Sequence, residues 1–261
     1  MNILYAVLSL GILGILFGTA LGYASDKFAV ELDPKVPRIR EALPGVNCGG
    51  CGFPGCDAFA EAVVNGEAHA NGCPVGGIKV ASVISEILGV EVEQVEKKAA
   101  FVNCNGNNTN IKIRPNTANY HDCVEAHEHR HKHSDGCSYG CVGLGTCIQV
   151  CKFGALDIVD GIAKVNEEKC VTCGACVKVC PKGLIELVPL NKSVRVVCSS
   201  KDSAKHVRTN CSVGCIACKI CEKNCPHDAI HVHESLAKID YEKCTNCGIC
   251  AEKCPTKAII I

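Results

Sequence analysis

The chain has 261 residues, of which 24 are Cys, and its 27 Lys and Arg balance 27 Asp and Glu. Zero formal charge excludes a bulk-basic nucleic-acid binder, and 48% hydrophobic content excludes an acidic disordered chain. With no Trp, 6 Phe and 5 Tyr, small modules held by something other than an aromatic core are expected.

Ile3 to Tyr23 carries no charge, and the first charged residue is Asp26. About 20 apolar helical residues cross a ~30 Å hydrocarbon core, so a transmembrane anchor is expected over 1–25. A cleaved signal peptide is the rival, but no Lys or Arg precedes the apolar run. Lys27, Lys35, Arg38 and Arg40 follow it, which makes a single-pass protein of the cell (inner) membrane with everything from Asp26 onward cytoplasmic. Gly14, Gly18 and Gly22 line one face at four-residue spacing, a stripe on which partner helices pack closely.

Residues 26–102 contain a short neck and then Cys48, Cys51, Cys56 and Cys73, spaced C-x2-C-x4-C-x16-C. Gly49, Gly50, Gly52 and Gly55 let the backbone wrap and aim N–H groups at sulfur. This spacing predicts one [4Fe–4S] site in a small module. Residues 103–136 hold seven Asn and five His without period and are expected to be a linker. His127, His129, His131 and His133 alternate with charged residues and read as a solvated stretch rather than a metal site.

From 137 the chain repeats itself. Cys141, Cys147, Cys151, Cys170, Cys173, Cys176 and Cys180 recur as Cys215, Cys221, Cys225, Cys244, Cys247, Cys250 and Cys254, all at an offset of 74. An unbroken register of this kind is a duplicated module. Two tandem two-cluster ferredoxin-like modules are expected, at 137–192 and 193–261. Each carries a predicted hairpin: Leu156 to Val165 around Asp160-Gly161, and Ile230 to Ile239. The fold class is α+β.

Cys-x2-Cys-x2-Cys-x3-Cys-Pro occurs at 170–181, 215–226 and 244–255. Three thiolates of such a loop take three corners of a cubane, and the fourth ligates the neighbouring cluster. The expected sets are Cys215, Cys218, Cys221 with Cys254; Cys244, Cys247, Cys250 with Cys225; and Cys170, Cys173, Cys176 with Cys151. Zinc is the rival, but its sites pair two C-x2-C knuckles. In the first copy Leu144 stands where Cys218 stands, leaving Cys141, Cys147 and Cys180 without a fourth ligand. Either that centre is [3Fe–4S], or a displaced ligand fills it. Cys137, four residues upstream, is the candidate, although its counterpart Cys211 belongs to a copy already complete. About five [4Fe–4S] clusters are expected in all. Cys104, Cys123, Cys198 and Cys211 remain as thiols beside the clusters, with Cys123 and Cys198 read as repeat partners. There is no Rossmann fingerprint, P-loop or hydrolytic triad pattern, so the chain alone is expected to bind no nucleotide and no nucleic acid.

The uncharged helix, then Cys48-Gly49-Gly50-Cys51-Gly52-Phe53-Pro54-Gly55-Cys56 with Cys73-Pro74, then paired ferredoxin motifs resemble the B subunit of the Rnf electron-transport complex. The likeness covers nearly the whole chain. Some members carry one ferredoxin module after the four-Cys module; this chain carries two. The resemblance implies a wire that accepts electrons from reduced soluble ferredoxin and passes them to membrane subunits. The assembled translocase reduces NAD and pumps Na+ or H+. The rivals are an anchored polyferredoxin of another membrane oxidoreductase and an iron–sulfur redox sensor, although five clusters without an output domain favour conduction.

Overall fold

The computed structural model describes residues 2–27, 33–91, 96–113, 117, 119–129 and 136–261. Helix α1, Asn2–Lys27, is one unbroken helix of 26 residues. Its apolar side chains Leu10, Ile12, Leu16 and Leu21 stand exposed. The expected transmembrane anchor is not shown here: among the described residues no helix is long and apolar enough to cross a membrane.

The four-Cys module is built on α2 (Lys35–Ala42), α3 (Cys56–Val64) and α4 (Gly77–Leu88). Ile39, Leu43, Phe59, Ala60, Val63 and Ile84 close its core. Helix α4 stops at Gly89, whose left-handed φ of 74° lets its N–H reach the Ser85 carbonyl at 2.8 Å. Phe59 is 1% exposed and tilts against Phe53 at 5.8 Å.

Beyond this module the described residues form four two-stranded antiparallel sheets. The first module comprises β1 (Lys98–Val102), α5 (Cys123–Glu128), α6 (Thr146–Gln149), β2 (Leu156–Val159), β3 (Ile162–Val165), α7 (Ala175–Val179) and β4 (Ile185–Pro189). The second comprises β5 (Arg195–Val196), α8 (Ala204–Asn210), α9 (Ile220–Lys223), β6 (Ile230–His233), β7 (Leu236–Ile239), α10 (Ile249–Glu252) and β8 (Ile259–Ile260). Both predicted hairpins form, as β2–β3 and β6–β7. Asp160 and Gly161 turn the first with φ of 49° and 80°; Glu234 and Ser235 turn the second with φ of 47° and 64°.

In each module an early strand pairs with the last one: β1 with β4, Ala100 opposite Leu187, and β5 with β8, Val196 opposite Ile259. The first module therefore begins before 103, and the expected linker is an insertion inside it. The described part of that insertion is stitched to its surroundings by backbone hydrogen bonds. Asn105 N–H donates to the Val197 carbonyl at 3.0 Å, Asn108 N–H to Asp160 at 3.0 Å, and Lys112 N–H to Asn210 at 2.8 Å. His131 and His133 lie outside the described residues; His129 stacks on Tyr120 at 5.7 Å.

The two ferredoxin modules meet around Arg195, which is 4% exposed. Its guanidinium lies 5.1 Å from the Phe101 ring centroid, donates to the Pro189 carbonyl at 3.3 Å and approaches Glu167 at 3.7 Å. The four-Cys module has its own core, so the two parts are expected to respond separately to damage. Phe59→Ala should cost about 3–5 kcal/mol locally. Limited proteolysis of this variant should cut within 35–89 and spare 98–261; equal sensitivity of both regions would refute independent cores.

Candidate metal centres

The four cluster loops of the ferredoxin modules share one backbone device. The second and fourth residues after the leading Cys have positive φ: Gly143 and Gly145 (83°, 79°), Thr172 and Gly174 (62°, 73°), Ala217 and Lys219 (53°, 60°), Asn246 and Gly248 (61°, 77°). Alternating left-handed residues coil the loop and turn its N–H groups inward, the concavity that binds anions. Leu144 sits in a loop with the same bend as its Cys-bearing counterparts, so the missing Cys does not change the backbone.

The thiols gather as follows. Cys48, Cys51, Cys56 and Cys73 line one cavity with Phe59 and Pro74. Cys225, Cys244, Cys247 and Cys250 line a second. Cys170, Cys173 and Cys151 act electrostatically on Cys176, and Cys215, Cys218 and Cys254 on Cys221. The cross-ligation spacing read from sequence thus brings together the four residues of each of these sets.

The cavity at the incomplete set is lined otherwise than expected. Cys123 lines a cavity with Cys141, Cys147 and Cys180, and Cys137 does not. Asp122 caps α5 by accepting from Val124 N–H and Glu125 N–H, and Cys123 N–H donates to Thr146 Oγ1 at 2.8 Å. The insertion thereby places the Cys123 thiol beside Cys141, Cys147 and Cys180. Cys137 lines a separate cavity with Cys104, Cys198 and Cys211. Cys123 and Cys198 are consequently not repeat partners. Cys104 and Cys198 are, each standing two residues beyond the first strand of its module.

Backbone N–H groups point at the sulfurs throughout. Gly76 donates to Cys73 at 3.4 Å, Ala100 to Cys170 at 3.3 Å, Ala155 to Cys151 at 3.4 Å and Ala229 to Cys225 at 3.3 Å. Such bonds favour the thiolate and tune a bound centre. Burial works the other way. It pushes the Cys147 thiol up to about 12, with Cys141, Cys123 and Cys180 adding to the rise. Cys176, Cys221 and Cys250 rise to about 11, burial being the largest cause in each. Converging buried thiolates need a positively charged centre between them, and its binding displaces their protons.

Among the described residues, no group of three or more His, Cys, Asp and Glu stands close enough for a single metal ion. Three Cys in one loop followed by Cys-Pro suit a polynuclear cluster better than zinc, whose sites pair two C-x2-C knuckles.

Comparisons with known proteins agree with this chemistry. Residues 43–75 match a family described as a putative Fe–S cluster, residues 163–186 a 4Fe–4S binding domain, and residues 214–258 a 4Fe–4S dicluster domain. The chain is 46% identical to the B subunit of the ion-translocating oxidoreductase complex of Methanosarcina acetivorans, over 95% of this chain and 94% of that one. It is 47% identical to the B subunit of the Na(+)-translocating ferredoxin:NAD(+) oxidoreductase complex of Acetobacterium woodii, over 93% and 73%. It is 39% identical to the proton-translocating counterpart of Clostridium ljungdahlii, over 90% and 83%.

Proposed function

The chain belongs to the B subunits of ion-translocating oxidoreductase complexes, and we propose a route for electrons through its thiol groups. It is an electron-transfer subunit of a ferredoxin:NAD oxidoreductase. Five sets of residues hold [4Fe–4S] clusters: Cys48, Cys51, Cys56, Cys73; Cys151, Cys170, Cys173, Cys176; Cys123, Cys141, Cys147, Cys180; Cys215, Cys218, Cys221, Cys254; and Cys225, Cys244, Cys247, Cys250. Each bound cluster supplies a one-electron redox centre.

Electrons enter at the second ferredoxin module from reduced soluble ferredoxin. Cys218 and Cys247 are the two exposed thiols among the described cysteines, and both are loop ligands of that module. They leave through the four-Cys module. The observation that carries this route is the contact at Gly50: a Cβ there would lie 3.0 Å from Cys173 Cα. The loop of the four-Cys site thus rests against a ligand of the next site, leaving room only for glycine. The four-Cys module adjoins the neck and α1, where partner membrane subunits take the electrons.

Helix α1 serves as the anchor in this reading. A Cβ added at Gly11, Gly14, Gly18 or Gly22 would meet nothing within 4 Å, an open face for a partner helix. The reading is a single-pass membrane protein, and Lys27, Lys35, Arg38 and Arg40 after the apolar run favour cluster modules on the cytoplasmic side.

Two measurements test the reading. Cys123→Ala should convert one four-iron centre to a three-iron form, visible by EPR after oxidation, and adding Leu144→Cys should restore it. An unchanged spectrum in Cys123→Ala would remove Cys123 from the ligand set. The stretch from Asp26 onward should take electrons from photoreduced ferredoxin but not reduce NAD, whereas membranes holding the whole complex should do both. NAD reduction by the isolated stretch would refute the assignment of this subunit as a wire.

A further inference from the structure

Four cysteines are left over by the five sets: Cys104, Cys137, Cys198 and Cys211. They line one cavity between the two ferredoxin modules, as the thiols of the motif-bearing sets line theirs. Each module contributes a matched pair. Cys104 and Cys198 follow β1 and β5 by two residues. Each accepts a backbone N–H from two residues further on, Gly106 at 3.4 Å and Ser200 at 3.4 Å. Each accepts a second from the leading Cys of its own module's cluster loop: Cys141 N–H reaches Cys104 Sγ at 3.4 Å, and Cys215 N–H reaches Cys198. Cys137 and Cys211 complete the pairs, each four residues before that leading Cys.

Glycines stand at matching positions beside the sulfurs in both modules. A Cβ at Gly140 would stand 3.6 Å from Cys137 Sγ and 3.9 Å from Cys104 Sγ. At Gly214, the same position in the second module, it would stand 2.3 Å from Val207 Cγ1. Asn210 lines the cavity, is 4% exposed, and its Nδ2 has no hydrogen-bond partner among the described residues. A buried amide donor without an acceptor is costly unless an acceptor arrives with a bound group. Inorganic sulfide is such an acceptor.

We propose that Cys104, Cys137, Cys198 and Cys211 hold a sixth [4Fe–4S] cluster that bridges the two ferredoxin modules. The assignment rests on the reading that the other thiol sets carry clusters. All four thiols are free rather than disulfide-bonded. Six sets of four use all 24 Cys of the chain. The site also completes the electron path. Cys104 abuts the set containing Cys141, and Cys198 abuts the set containing Cys215, so the bridging centre touches one terminal set of each module. Electrons passing from module to module would otherwise cross the junction without a centre.

The test uses the full-length protein purified anaerobically, with iron, acid-labile sulfide and zinc measured per chain alongside Mössbauer spectra. About 24 irons and 24 sulfides are expected. The Cys104→Ala/Cys198→Ala double variant removes one thiol from each module and no ligand of the other sets, and should lose about four of each while the other five signals persist. Gly140→Val, which keeps all thiols but fills the cavity, should lose the same four if the double variant is too unstable to purify. About 20 irons in the unaltered protein, or 20 irons with one zinc that the double variant loses, would overturn the proposal while leaving the five-cluster reading standing. Zinc in place of iron throughout would overturn both.

Discussion

Thiolates cannot be packed together in a small protein unless something positive lies between them. Burial and mutual repulsion push the Cys147, Cys176, Cys221 and Cys250 thiols well above their ordinary range. The same residues belong to the cores: Cys147 and Cys176 pack with Leu156 and Ile162, and Cys221 and Cys250 with Ile230 and Ile259. Core and centre are therefore one object. Modules this small, with side chains this modest, are held by the centre that the thiols share. This accounts for a chain that does without Trp and whose strands are only two to five residues long.

The backbone obeys that constraint before the side chains do. Alternating positive φ in each loop brings the Cys positions to one side and the N–H groups inward. Thr172, Ala217, Lys219 and Asn246 accept left-handed conformations that cost an L-residue roughly 1–2 kcal/mol. Such strain persists only where the surroundings over-determine it. The loop around Leu144 keeps the bend although its middle Cys is gone, because Cys141 and Cys147 still need to converge. The bend stays, and another segment brings the Cys123 thiol beside it.

The cluster loops, their cross-ligation spacing and both hairpins were legible because each is local: three Cys within seven residues, or a turn between two short strands. What escaped was everything that depends on closure of the module. Lys98 to Val102 has no alternation of polar and apolar residues and lies ahead of the Asn- and His-rich insertion, so its pairing with β4 leaves no periodic trace. Without β1, the first module reads as beginning at Cys137, and proximity then makes Cys137 the natural spare ligand. The usable signal was the matched context of Val102-Asn103-Cys104 and Val196-Val197-Cys198, a Cys two residues past a Val at the end of a strand. Pairing those two frees Cys123 for the open corner.

The junction between the modules decides between conduction and sensing. A sensor has to change shape when its centre changes state, and that needs a joint with two arrangements. Here the joint is fixed on several sides. Arg195 is buried against Phe101, the Pro189 carbonyl and Glu167. Ser199 Oγ donates to the Asn103 carbonyl at 2.9 Å, Asn246 Nδ2 to Asn191 at 2.6 Å, and Ser212 N–H to Asn110 at 2.9 Å. Moving one module against the other would break these bonds and strip a buried guanidinium of its partners, a loss of several kcal/mol. A rigid joint suits electron transfer, whose rate falls steeply with distance between centres. The same contacts hold Cys104 and Cys198 at fixed positions across the junction, one from each module, facing the same cavity.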